Sequence, residues 1–222
     1  MEPGQSTEKE IAYICVDEKG KRFGDLEDWD HCLKAIPPRR LLKPTQVIKP
    51  SGLSSDVLFE WIYPRSVVFI FGAGHVGACV SHLASYVDFF VVAVDDRDEY
   101  ANPQNLPDAD QIIVKSFKES FSGLSVDRDS HIVIVTRGHA HDKTTLAQAL
   151  KTDASYIGMI GSRRKIKLIF DALIQDGFTE DDMARVHAPI GLAIGGETPQ
   201  EIAVSIVAEL IQERTKRLNV AG

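Results

Sequence analysis

Val67-Val68-Phe69-Ile70-Phe71 runs straight into Gly72-Ala73-Gly74-His75-Val76-Gly77, and Asp95 closes the next apolar run. The order is strand, glycine turn, helix, strand, acid. In such a unit the first glycine permits the tight turn and the second lets the backbone approach a pyrophosphate. The third lets helix and strand pack closely. The helix that follows presents unpaired N–H groups and the positive end of its dipole to an anion. The reading is a nucleotide or dinucleotide site built from Gly72, Gly74, His75, Val76, Gly77, Asp95 and Arg97; a plain structural turn is the alternative. Asp95 suits a free ribose 2′-OH and weighs against a 2′-phosphate, and Arg97 suits a base or a phosphate. His75 either meets the phosphates or points outward.

From this unit outward, strands and helices alternate. Strands are predicted over 67–71, 90–95, 111–114, 131–136 and 155–160, with helices in the gaps. Val76, Cys79, Val80, Leu83, Ala84 and Val87 trace one helical face, which puts Cys79 in the core; Ile166, Ile169, Phe170, Leu173 and Ile174 trace another. The last helix starts at Thr198-Pro199-Gln200-Glu201, a capping box with proline at the first helical position. Its apolar face suits either the core or a homodimer interface. The pattern predicts an α/β fold: a doubly wound, mostly parallel, Rossmann-like sheet over 67–222, covered on both faces. Residues 1–66 read as a short N-terminal extension and linker. There, Ile11 to Val16 is a candidate strand, Asp28 to Ala35 a candidate short helix, and Val57 to Tyr63 another candidate strand.

Composition narrows the function. A net charge of −7 argues against a general nucleic-acid or membrane-surface binder. No apolar run reaches the roughly 20 residues that a spanning helix needs, and the polar start, Met1 to Lys9, is no signal peptide. The 3 cysteines are scattered and form no CxxC, so neither a disulfide framework nor a zinc ribbon is expected, and the cytoplasm is the expected compartment.

Four polar motifs fall after strands, where open parallel sheets bind ligands. They are GAGHVG, Asp96-Arg97-Asp98, Arg137-Gly138-His139-Ala140-His141-Asp142, and Gly161-Ser162-Arg163-Arg164-Lys165. Arg137, His139, His141 and Asp142 admit three readings: metal ligands lacking a clear third and fourth partner, substrate or cofactor contacts, or loop architecture. Asp142 is also a candidate cap for a helix over Lys143 to Leu150. Ser162 is a good N-cap, yet three cations then crowd a helix start that disfavours positive charge by about 0.3–1 kcal/mol each. Either a phosphate-like ligand at Gly161, Ser162, Arg163 and Lys165 offsets this, or acidic side chains do. On dipole grounds alone, removing Arg163 and Lys165 stabilises the unliganded protein. His187 to Leu192 and Gly195-Gly196-Glu197 read as glycine-rich loop, either closing over a ligand or forming a turn.

GAGHVG, VDDR, TRGHAHD, YIGMIGSRRK, HAPIGL and TPQEIAVSIVAEL occur in this order between about Phe59 and Leu210. Together they resemble the C-terminal Rossmann-like half of the XdhC/CoxI family, accessory proteins of xanthine dehydrogenase and carbon monoxide dehydrogenase. The resemblance implies a maturation factor that binds molybdenum cofactor, as molybdopterin or its cytosine dinucleotide, for sulfuration or insertion. It implies a molybdenum hydroxylase as partner, with a sulfurtransferase as a further one. It carries the glycine turn with Asp95, the Arg137–Asp142 motif and the Gly161–Lys165 motif over as binding residues and gives none a catalytic role. Full-length members also carry an N-terminal domain with glycine-rich motifs and a GGGxxE-like segment, which residues 1–58 lack. A part of a split system, a shortened relative or a diverged nucleotide-binding module all fit that departure. The residues alone keep two other functions open: an NAD-dependent oxidoreductase with His139 or His141 as acid/base, and a non-enzymatic nucleotide-sensing module.

Overall fold

The computed structural model describes residues 13–16, 21–24, 30, 32, 45–48, 56–60 and 65–220. The chain divides into two units, Met1–Tyr63 with Gly222, and Pro64–Ala221. In the first, β1 (Ile14–Val16) pairs antiparallel with β2 (Arg22–Gly24), and β3 (Thr45–Ile48) with β4 (Val57–Glu60). The candidate helix over Asp28 to Ala35 lies outside the described residues except at positions 30 and 32.

The second unit runs β5 (Val67–Phe71), α1 (His75–Tyr86), β6 (Phe90–Asp95), β7 (Gln111–Val114), β8 (Ser130–Ile134), α2 (His139–Ala149) and β9 (Tyr156–Met159). It continues through α3 (Arg163–Gln175), α4 (Glu180–Ala184), β10 (Val186–His187) and α5 (Pro199–Val220). Its six strands are all parallel in the order β10-β9-β8-β5-β6-β7, so the chain reverses direction across the sheet between β5 and β8. That is the Rossmann order, and its ligand crevice opens at the carboxyl ends of those two strands.

The two faces follow from the period-2 alternation of each strand. Val68, Ile70, Val91 and Val133 point one way, into a core closed by Val80 and Ala84 of α1 and by Ala203, Ile206, Val207 and Leu210 of α5. Phe69, Phe71, Val92, Val94, Ile132, Ile134, Ile157 and Met159 point the other way, against Leu146 of α2 and Ile166, Ile169 and Leu173 of α3. Burial on both faces explains why the strands read as unbroken apolar runs.

Three details differ from the sequence reading. No helix fills 96–110 or 115–129, which are built from turns; both stretches lack a helical apolar stripe. β10 is a strand of two residues inside the segment read as loop, too short to show a period. Cys79 packs against the edge of the α1–α5 core as read, but it is only half-buried, because it also lines a surface groove with Leu83, Leu106 and Val204.

Candidate functional site

The glycine turn leaves β5 at the reversal point. Gly72 has φ +111°, and a Cβ there meets the Val135 carbonyl oxygen at 2.5 Å, so only glycine fits. A Cβ on Gly77 meets the Gly72 carbonyl oxygen at 1.8 Å, which lets α1 start hard against the turn. Gly74 is different. A Cβ there meets nothing within 4 Å, so its missing side chain leaves open space rather than relieving a contact. Val76 packs partly against the α1 side of the core, and His75 is exposed.

Helix starts separate into two kinds. α1 begins on Gly74 and α2 on Gly138, both without a side-chain cap, and both at the reversal point. α3, α4 and α5 are capped by side chains: Ser162 accepts from the Lys165 N–H, Thr179 and Asp182 form a capping box, and Thr198 and Glu201 form another. The first N–H groups of an uncapped helix need partners from elsewhere. The two helices facing the crevice are the two that keep theirs available.

Asp95, at the end of β6, is 1% exposed. One carboxylate oxygen accepts the Ala73 N–H (2.8 Å) and Arg97 Nη2 (3.2 Å). The other accepts the Arg97 N–H (3.1 Å) and Arg97 Nε (3.0 Å). Four donors match the four lone-pair positions of a carboxylate. Burial works to raise the Asp95 pKa, but the hydrogen bonds from Arg97 and Ala73 and the charge of Arg97 outweigh it and hold it below the usual carboxylate value. The bond to Asp95 in turn raises the pKa of Arg97, whose guanidinium lies 3.8 Å over the Tyr100 ring. Arg137 grips Asp96 through both terminal nitrogens, at 2.7 and 3.1 Å. Asn105 donates to the carbonyls of Ala73 (2.8 Å) and Tyr100 (2.9 Å), which ties the 96–110 crossover to the turn. Asp96 belonged to the polar motif after β6, whereas Tyr100 and Asn105 carried no ligand motif in the sequence; only their place after a strand pointed to this edge.

A second cluster sits over β8 and β9. Asp142 is fully buried, accepts from Thr136 Oγ1 at 2.6 Å, and forms an ion pair with Lys165. The sequence reading of Asp142 as a helix cap is corrected: α2 begins three residues earlier, at His139, so Asp142 lies inside its first turn and its carboxylate turns inward. Gly161 leaves room for the Lys165 stem, whose Cδ lies 3.1 Å from where a Cβ would stand. Of the two offsets weighed for the α3 cations, Lys165 follows the acidic one. Ser162, Arg163 and Arg164 remain exposed.

The histidines of the Arg137–Asp142 motif part company. His139 is exposed, whereas His141 tilts against Phe117, 5.1 Å between ring centres. Among the described residues, no three His, Cys, Asp or Glu side chains are placed to hold a metal ion. His187 joins a different group. Glu209 of α5 pairs with His187 Nδ1 (3.1 Å) and accepts from the Tyr156 hydroxyl (2.6 Å) and the Gly191 N–H (2.7 Å). Burial tends to raise the Glu209 pKa, but these bonds win and lower it. The bond to Glu209 raises the His187 pKa against its own partial burial, and burial followed by Glu209 pushes the Tyr156 hydroxyl pKa up. This network pins the 187–191 turn to α5.

The XdhC Rossmann domain model matches residues 68–210, and the chain belongs to that family. It is 34% identical over 162 residues to the Escherichia coli K12 protein named uncharacterized protein YqeB, covering 72% of this chain and 29% of that one. It is 29% identical over 163 residues to a Bacillus subtilis 168 protein named as a probable xanthine dehydrogenase subunit, covering 73% and 47%. A crystal structure described as a xanthine dehydrogenase from Bacillus halodurans superposes with TM-score 0.61 at 32% identity, covering 73% of this chain and 45% of that one. The chain thus spans less than half the length of each of these relatives. Among the described residues, no helix is long and apolar enough to cross a membrane.

Proposed function

We propose, from membership of the XdhC Rossmann family, that this chain is an accessory factor of a xanthine dehydrogenase-like molybdenum hydroxylase. It takes molybdenum cofactor, as molybdopterin or its cytosine dinucleotide, as cargo for sulfuration or insertion. The observation that carries the reading is the open space at Gly74, at the first turn of an uncapped helix in the crevice. A phosphate or pyrophosphate fits that cradle. The backbone N–H groups of the turn would hold it, with Arg137, after β8, as a cation of the same edge and Arg163 and Arg164 farther along that edge, after β9. The relatives named for xanthine dehydrogenase supply the enzyme to be served. A sulfurtransferase is the further partner this role calls for, and a homodimer is compatible with it.

Asp95 weighs against the NAD-dependent alternative. A ribose diol needs acceptor capacity on that carboxylate, and all of it is already used by Ala73 and Arg97. The deciding experiment is native mass spectrometry on anaerobically purified protein, titrated separately with NAD, CDP, molybdopterin and molybdopterin cytosine dinucleotide. A pterin adduct that Gly74→Val abolishes supports the proposal. Selective NAD binding without a pterin adduct would refute it.

A further inference from the structure

The phosphate site proposed above already contains a rival for its ligand. β6 and β8 flank β5 on opposite sides, about 10 Å apart at the usual strand spacing. Asp96 directly follows β6, and Arg137 stands in the loop after β8. Their bidentate pair, at 2.7 and 3.1 Å, therefore crosses the carboxyl end of β5, where the glycine turn begins. An arginine fork takes a carboxylate and a phosphate with the same parallel geometry. A phosphate arriving at Gly74 and Asp96 ask for the same face of one guanidinium.

The two arginines of the cluster are not equivalent. Arg97 is bound by its own Asp95 through Nε and Nη2, lies over Tyr100, and has only 24% of its side chain exposed. Arg137 has 45% exposed, and among the described residues its hydrogen-bonded partner is Asp96, with Asp95 a further 3.8 Å contact. It also precedes the helix rather than belonging to it: Gly138 caps α2 at φ +85°. The Arg137 side chain can swing without disturbing a helical hydrogen bond.

We propose that Asp96 is an internal competitor that holds Arg137 away from the phosphate-binding turn, and that an oligophosphate ligand binds by taking Arg137 from it. This rests on the glycine turn being a phosphate site. The consequence is a threshold. A weakly charged ligand leaves the Asp96–Arg137 pair closed, and a diphosphate bridge carries enough charge to open it. Asp96 is then a residue that sets specificity without touching the ligand.

The test is calorimetric titration of the full chain with inorganic pyrophosphate and with ADP at fixed ionic strength, for wild type, Asp96→Asn, Arg137→Met and the double variant. Asp96→Asn is expected to tighten binding about fivefold, which is about 1 kcal/mol. Arg137→Met is expected to weaken it, and the gain from Asp96→Asn is expected to shrink once Arg137 is absent. An equal or larger gain in the Arg137→Met background makes Asp96 a plain repelling charge and overturns the proposal. Wild-type binding that Asp96→Asn leaves unchanged or weakens also overturns it, while the phosphate site stands. If neither probe binds wild type or Asp96→Asn, with thermal melts showing both folded, the phosphate site and the competitor fall together.

Discussion

Removing Lys165 should destabilise this protein, contrary to what the helix dipole alone predicts. Its ammonium lies at the unfavourable end of α3, where the dipole penalty is about 0.3–1 kcal/mol. It is also the ion-pair partner of Asp142, which is fully buried. Among the described residues, the Asp142 oxygen facing Lys165 has no partner besides that ammonium, so Lys165→Met strands a buried carboxylate that keeps only the Thr136 hydroxyl on its other oxygen. Breaking a buried pair from one side costs about 3–5 kcal/mol. The Lys165 side chain is 17% exposed, which places the loss near the lower end, and dipole relief trims it to about 2–3 kcal/mol. For a unit of this size that lowers Tm by about 5–10 °C. Urea and thermal unfolding at neutral pH measure it. The second half of the test is Asp142→Asn with Lys165→Met, which removes both charges and leaves an acceptor for Thr136. It should recover to within about 1 kcal/mol of wild type. A Lys165→Met protein at least as stable as wild type would leave the dipole effect sufficient, and a destabilised single variant that the double does not rescue would show that the loss is not that of a stranded charge.

Two of the turn glycines should differ in what they cost the fold. Gly77→Ala drives a Cβ onto the Gly72 carbonyl and should lose several degrees of Tm or fail to fold, since overpacking costs about 1–3 kcal/mol or more. Gly74→Ala, with open space around it, should stay within about 1 kcal/mol of wild type. Equal melting losses at the two positions would contradict the distinction. The His187–Glu209 pair predicts a pH dependence. His187 has a raised pKa in the fold, so its contribution is complete below the unfolded value near 6.5 and is lost as pH rises through the folded value. Wild-type Tm should therefore fall as pH rises above about 6.5 more steeply than that of His187→Gln. Parallel slopes would remove His187 as the cause. At the acid end, the lowered pKa of Asp95 gives stability that is present above about pH 3.9 and lost as pH falls through its folded value. Acid unfolding of Asp95→Asn should show a shallower dependence in that range.

Local pattern carried the frame of this fold because the sheet is buried on both faces. Phe69 and Phe71 face one helix layer while Val68 and Ile70 face the other, so β5 reads as an apolar run ending at a glycine, and its neighbours follow suit. The placement of ligand motifs at the carboxyl edge then follows from topology. What local pattern does not carry is the partner of each charge. The spacing from Gly72 to Asp95 is the same whether the acid meets a ribose or the Ala73 N–H, and only the fold brings Ala73 onto it; Arg97, two residues on, is a local partner whose rotamer the pattern does not give. Asp142 looks like a helix cap until Lys165 arrives from another element, and Glu209 is an ordinary helical acid until Tyr156, His187 and Gly191 converge on it. The outcome is one-sided. Arg97, Arg137 and Lys165, the cations nearest the crevice, are each matched to a carboxylate of the chain itself. The positive potential left uncommitted comes from the N-termini of α1 and α2 and from exposed Arg163 and Arg164. An anionic ligand must therefore be held by backbone amides and the rim of α3, or win a guanidinium from an internal acid. A site arranged this way favours ligands of concentrated charge over those that offer only hydroxyl groups.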